Sequence, residues 1–253
     1  MKGALVTGVG SDIGRETSLF LASKGFRIIA HELREDSVEF RKSAKSFDKA
    51  GIRYESFFAD FSKKDEVIRM CDEILKSGVR LGIIVHIAGG STAFGPWKIT
   101  PQNIIDTVFI NLISPMIITH KLLPLLEEGS LVVATSALSG FHAGWYPTDA
   151  CFDAAKGGIL RFTENMARDL GPKTRVNSIV IGLSYVDDNY KEWRELRKDQ
   201  FPMKRIAVPA DYVKCVDFFL SHDYITGVSL PLDGGWSSYN VNPPFVSATM
   251  ERS

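Results

Sequence analysis

Thr7-Gly8-Val9-Gly10-Ser11-Asp12-Ile13-Gly14 is the stretch on which the fold turns. It follows the short apolar run Gly3-Ala4-Leu5-Val6 and leads into an amphipathic segment, so the order strand, glycine turn, helix is expected. Glycines in such a turn let the backbone approach a pyrophosphate. The free N–H groups and dipole of the following helix N-terminus favour negative charge there. The same turn can also be a capped bend that binds nothing, and the rest of the chain decides between the two.

Outward from this turn, short apolar runs alternate with helical patterns along the chain. Strands are expected at 4–6, 27–30, 54–58, 82–87, 130–135, 175–181 and 227–230. Val67, Met70, Cys71, Ile74 and Leu75 recur at helical spacing, which puts one helix face on a sheet. Thr100 and Pro101 read as the N-cap and first position of a long helix over 101–121, and a second long helix is expected over 152–170. Gly25 and Gly51 suit the left-handed position just past a helix. The alternation implies an α/β fold, a doubly wound parallel sheet of about seven strands with helices on both faces, forming one domain over 1–253. The charged and aromatic segment 183–201, with Tyr185, Tyr190 and Trp193, has no sheet role and reads as a lid. The tail 236–253 reads as a wrap over a neighbour or the pocket.

The chain has 253 residues, enough for one large domain with a sizeable core. Its 30 basic and 30 acidic residues cancel, which argues against nucleic acid or an anionic membrane as a partner. Cys71, Cys151 and Cys215 match no metal or CxxC spacing and read as small buried hydrophobes in a reducing compartment. No metal site is expected. The start of the chain leaves no room for a signal peptide, and no stretch reads as a membrane span, so a cytoplasmic location is expected.

Several further motifs then fall into register. Thr7, Gly8 and Gly14 fit TGxxxGxG, with Asp12 at the middle glycine. His86-Ile87-Ala88-Gly89 stands where NNAG would, and Phe152-Asp153-Ala154-Ala155-Lys156 where YxxxK would. Arg175-Val176-Asn177 fits RVN, Arg205 to Asp211 fits RxxxPxE/D, and Thr226-Gly227 with Asp233-Gly234-Gly235 fits TG…DGG. Over essentially its whole length the chain resembles the classical short-chain dehydrogenase/reductase family.

That resemblance implies a single-domain Rossmann-like fold and a nicotinamide-dependent oxidoreductase acting on an alcohol or carbonyl. It assigns cofactor contacts to Gly8, Ser11, Asp12, Ile13, Gly14, Glu32, Asp60, Phe61, Ala88, Gly89, Lys156 and Gly182. Asp60 would meet the adenine, Lys156 would hold the nicotinamide ribose, and Asn111 would order a water chain to that lysine. Glu32 closes the second strand, where a carboxylate accepts from the adenosine hydroxyls, so NAD is expected over NADP, with Arg34 the competing reading. Asp12 beside a pyrophosphate adds repulsion, so weaker affinity or an outward-turned side chain is expected. His86 reads as a satisfied core histidine rather than a catalyst.

The departure that matters most is Phe152. The family tyrosine donates the reacting proton, and phenylalanine has none. Tyr146 stands ten positions before Lys156 rather than four, so helix geometry cannot put it in the vacant place; Tyr146 or His142 on a folded-back loop, or a water, would have to substitute. The serine that binds the substrate carbonyl is Ser136 by strand register and Ser139 by spacing; register is the firmer guide. Two classes of function stay open: a nicotinamide-dependent oxidoreductase, or a non-catalytic dinucleotide- or ligand-binding relative. The resemblance also implies a homo-oligomer, dimer or tetramer, packed through the two long helices, where Ile104, Ile105, Phe109 and Phe162 stand.

Overall fold

The computed structural model describes residues 1–92, 99–141, 150–182 and 198–238. Seven parallel strands form one sheet in the order β3-β2-β1-β4-β5-β6-β7. The strands are β1 Gly3–Thr7, β2 Arg27–Glu32, β3 Tyr54–Phe58, β4 Leu81–His86, β5 Leu126–Ala137, β6 Thr174–Ile181 and β7 Ser229–Leu232. All seven expected strands are present. β5 starts four residues earlier than expected, at Leu126, and the added stretch holds polar Glu127 and Glu128 and an irregularity at Gly129, whose φ is 75°. β7 starts two residues late, since Gly227 sits in a turn at φ 78°.

Both faces are covered, as near-continuous apolar runs in β1, β4 and β5 require. Helices α1 Asp12–Ser23, α2 Val38–Lys49 and α8 Pro209–Ser221 bury Leu21, Phe40, Phe47, Val216 and Phe219 against one face. On the other lie α3 Lys64–Ser77, α5 Ser114–Leu122 and α7 Ala150–Leu170, which contribute Met70, Ile74, Ile118, Ile159 and Phe162. The helical positions predicted for α3 are buried at Val67, Met70, Cys71 and Ile74. Gly25 and Gly51 have φ of 89° and 64°, the left-handed conformation that glycine adopts without a Cβ clash. Cys71 is buried, whereas Cys151 and Cys215 are only half-buried.

The long helix after β4 is not uniform. Thr100 caps α4 Pro101–Val108, accepting from the Asn103 N–H, and the chain continues into a π-helical turn Phe109–Ile113 before α5. The combined helix Pro101–Leu125 is long and apolar enough to cross a membrane by length and composition, which the sequence reading did not anticipate. It carries buried polar residues, Thr107, Asn111, Ser114 and Thr119. The Ser114 hydroxyl donates to the Phe61 carbonyl, and Asn111 is engaged at the site described next. Phe162, expected on an assembly face, lies in the core, while Ile104 and Ile105 are exposed.

Candidate cofactor and active site

The strand order reverses between β1 and β4, and a groove of about 340 Å³ opens there at the C-terminal ends of the strands. Gly8 and Ser11 form one wall, Glu32, Asp60 and Phe61 another, and Ala88 to Thr92 the third. The turn that opens α1 is built for close approach. Ser11 is the N-cap: its hydroxyl accepts from the Gly14 N–H at 3.0 Å and donates to the Gly8 carbonyl at 2.8 Å. A Cβ on Gly14 would stand 2.1 Å from the Gly8 carbonyl oxygen, and one on Gly8, at φ 74°, would meet Ala88 backbone at 2.9 Å. Only bare Cα atoms fit. A turn that has shed its side chains at the N-terminus of a helix fits a pyrophosphate.

Asp12, in the place of a third glycine, is turned toward cations: it pairs with Arg15 one turn on and with Lys42 of α2 at 3.6 Å. Its charge is thus largely offset before any phosphate arrives. Glu32 ends β2 as expected, and its carboxylate is held in place, accepting from the Gly10 N–H at 2.6 Å and the Leu33 N–H at 2.9 Å. Asp60 lines the groove, and its carboxylate is held by its own turn. Its carboxylate accepts from the Ser62 N–H and hydroxyl at 2.9 and 2.7 Å and lies 3.5 Å from Lys63. Partial burial works against ionisation, but these partners outweigh it and hold the carboxyl below its usual range. The carboxylate therefore shapes the turn into α3.

His31, given no role by the motifs above, is structurally central. It is buried on β2, stacked on Phe61 at 4.0 Å, with Nε2 3.0 Å from the Ala59 carbonyl and Nδ1 accepting from the Gly8 N–H at 3.4 Å. Burial pushes its pKa down to about 4, against a smaller opposing effect of the Ala59 bond, so the ring is neutral near pH 7. Strand parity held the signal: His31 follows Ile29 by two, on the same inward face, and a polar residue there needs partners. Across the sheet, Thr7 pairs with His31 on one side and His86 on the other. The Thr7 hydroxyl accepts from the Ile87 and Ala88 N–H groups, which fixes the end of β4.

His86 is buried as expected but not fully satisfied: Nε2 lies 2.9 Å from the Thr119 hydroxyl, while buried Nδ1 has no partner. Burial, then nearby His31 and Lys156, push it down to about 3, and a neutral ring is no proton donor at pH 7.

Gly89, Asn111 and Lys156 converge. Asn111 sits in the π turn, with Oδ1 accepting from the Gly90 N–H at 3.1 Å and Nδ2 donating to the Gly90 and Thr107 carbonyls at 2.7 and 2.8 Å. Its amide thus clamps the loop after β4. Lys156 is 5% exposed; Nζ donates to the Thr135 carbonyl at 3.0 Å, and burial pushes its pKa down to about 8. A Cβ on Gly89 would lie 2.7 Å from Asn111 Oδ1 and 3.0 Å from Lys156 Nζ. Phe152, one turn before the lysine, is half-buried, and Nζ lies 5.4 Å from its ring centroid, within cation–π range.

Ser136 is fully buried, and its hydroxyl donates to the Lys156 backbone carbonyl at 2.7 Å, tying β5 to α7 instead of facing the groove. Ser139, three residues on in the short α6 Leu138–Phe141, is half-buried. Gly182 lies against Asp233, where a Cβ would come within 3.0 Å of its Cα. Tyr146, His142, most of the expected lid and most of the tail lie outside the described residues. The C-terminal motifs are structural: Arg205 pairs with both Asp211 oxygens, Asn177 bonds to Ile225 and Val228, and Asp233 accepts from the Gly235 and Ser237 N–H groups. Among the described residues no His/Cys/Asp/Glu group could hold a metal ion.

A glycine turn at the switch point of a seven-stranded parallel sheet, with a buried lysine beside it, defines a Rossmann-like α/β protein. The profile of the family described as "Enoyl-(Acyl carrier protein) reductase" matches residues 8–237. A trihydroxynaphthalene reductase of Colletotrichum orbiculare is 31% identical, over 92% of this chain and 88% of its own. An uncharacterized oxidoreductase of Bacillus subtilis, YxbG, is 29% identical over 94% of this chain and 92% of its own. Among solved structures, a putative gluconate dehydrogenase from Agrobacterium tumefaciens superposes with a TM-score of 0.82 at 25% identity, covering 94% of this chain and 96% of that one. The angucycline C-6 ketoreductase LanV with bound NADP gives 0.83 at 25%, covering 93% and 95%. The chain belongs to the short-chain dehydrogenase/reductase family of oxidoreductases.

Proposed function

We propose that this protein is an NAD(H)-dependent oxidoreductase that interconverts an alcohol and a carbonyl. The observation that carries the reading is the convergence of Lys156 and Asn111 on Gly89 at the edge of the groove. A lysine is retained in a buried position, at an electrostatic cost, where it can donate to a ribose. Gly8, Ser11 and Gly14 would seat the pyrophosphate, Glu32 the adenosine hydroxyls, and Lys156 the nicotinamide ribose. When bound, the nicotinamide supplies or accepts the hydride. Asn111 holds the Gly90 backbone in place, and with the Ser136 hydroxyl tied to α7, Ser139 is the serine proposed to bind a substrate oxygen.

The preference for NAD rests on Glu32, whose carboxylate would face a 2′-phosphate with like charge. Neighbours such as LanV, with NADP bound, lean the other way, so this one side chain carries the choice. Exposed Ile104, Ile105 and Met116 on the α4–α5 helix support a homo-oligomer packed through that helix. Light scattering at micromolar concentration should give a multiple of the 28.1 kDa chain; a monomer contradicts the assembly.

The function is tested by titrating the protein with NADH and assaying a panel of ketones, aldehydes and alcohols. Binding with slow turnover supports the reading. Absence of NADH binding overturns it, and binding with no turnover of any compound points to a role in binding alone.

A further inference from the structure

Phe152 removes the hydroxyl that would carry a proton, and the side chains around it narrow what can take its place. We propose that the Lys156 ammonium itself protonates the substrate oxygen during reduction, its neutral amine taking the proton back during oxidation. This rests on the oxidoreductase reading above. In the reducing direction a hydride from bound NADH forms the new C–H bond, one N–H bond of Lys156 breaks, and one O–H bond forms. The nicotinamide is oxidised, the carbonyl reduced, and the neutral amine regains a proton from solvent.

The geometry singles out this group. Nζ is anchored on the Thr135 carbonyl at 3.0 Å and lies directly behind Gly89 of the groove wall, where a Cβ would come within 3.0 Å of it. The Phe152 ring, 5.4 Å away, favours the cation that must form before each reduction. The neighbours are poor donors. Asn111 does not titrate, and the Ser136 hydroxyl is committed to the Lys156 carbonyl. His86 on β4 is a neutral ring near pH 7, its Nε2 against Thr119.

β5 offers Thr135 and Ser136, the π turn Asn111 and α6 no charged residue, while on α7 itself Cys151 and Asp153 stand one turn before. β6 carries Arg175 at its far end, bonded to the Phe219 and His222 carbonyls. Burial thus acts on Lys156 largely unopposed and brings its pKa to about 8, near the pH at which general acids work best, where an ordinary lysine near 10.5 would hold its proton too tightly.

The test uses full-length protein labelled with ¹⁵N-lysine and saturated with NADH. The Lys156 Nζ signal, assigned by its loss in Lys156→Arg, should titrate near 8; a midpoint near 10.5 overturns the proposal without any turnover being needed. In the reductase assay, kcat should fall about tenfold per pH unit above that midpoint. Lys156→Arg keeps the charge and the ribose donor, so it should lose ~10²-fold in kcat while NADH affinity changes by about threefold at most. Placing Phe152→Tyr in the Lys156→Arg background should restore much of the loss. If Lys156→Arg keeps its rate while Tyr146→Phe or His142→Ala abolishes it, the donor is in the loop and the proposal fails. If NADH does not bind, the oxidoreductase reading fails; if it binds and Lys156 titrates as an ordinary lysine, only the present proposal does.

Discussion

Phe152→Tyr adds one oxygen at the point where the family keeps its acid. Phe152 is half-buried one helical turn from Lys156, so the added hydroxyl meets a cationic neighbour rather than a filled core, and the fold should tolerate it. The ammonium beside it would also lower the phenol pKa. A positioned general acid is worth about 10²–10⁴-fold, on the order of 3–5 kcal/mol of barrier. Lys156 already provides part of that in the natural chain, so the gain should sit at the lower end, about 10²-fold in kcat. The assay is single-turnover oxidation of bound NADH across a carbonyl panel, beside a thermal melt to show that both proteins fold alike. A fast natural protein with a neutral Phe152→Tyr would refute the reasoning, because another group would already be supplying the full acid effect. Tyr146→Phe and His142→Ala would then locate it.

Other outcomes follow from the same geometry. Calorimetric titration should show NAD(H) binding at least several-fold tighter than NADP(H), with the gap closing in Glu32→Ser; equal affinities in the natural protein would remove Glu32 from its role. Gly14→Ala puts a Cβ 2.1 Å from the Gly8 carbonyl and should cost about 1–3 kcal/mol in denaturant unfolding together with NADH binding; unchanged values would contradict the turn. His31 and His86 drop from 6.5 to about 4 and about 3 on folding, so their stabilising share is complete above pH 6.5 and lost as pH falls through those values. Melting temperature should decline from pH 6.5 toward 4, and His31→Gln should flatten part of that decline; a flat profile in the natural protein would overturn the assignment of two buried neutral rings.

The sheet was legible because each strand is a short apolar run between turn signals, and parallel strands buried on both faces show no alternation to misread. What escaped the sequence depends on partners far away along the chain. His31 gains its meaning from Gly8 and Ala59, 23 and 28 residues away, which strand pairing alone brings together. The π turn at Phe109–Ile113 leaves no mark in the apolar spacing, yet it lies where Asn111 reaches Gly90. Strand register places Ser136 on β5, Leu126–Ala137, but a strand position does not by itself make it the substrate serine. Which way its hydroxyl points depends on the Lys156 carbonyl across the β5–α7 contact, which register does not reveal. The cofactor turn was the most readable part of the site, because its glycines are demanded by local backbone contacts. The proton donor was the least readable, because it turns on where one lysine amine lies relative to a ring and a glycine.

The central claim, that the chain carries out hydride transfer although Phe152 stands in the tyrosine position, comes down to one isotope experiment. The protein is incubated with NADH deuterated at the transferable C4 position and with a carbonyl panel, and the products are examined by mass spectrometry. Deuterium at the new carbinol carbon, from one face of the nicotinamide only, is the predicted result. NADH bound at the groove, with no deuterium in any product after prolonged incubation, would contradict it.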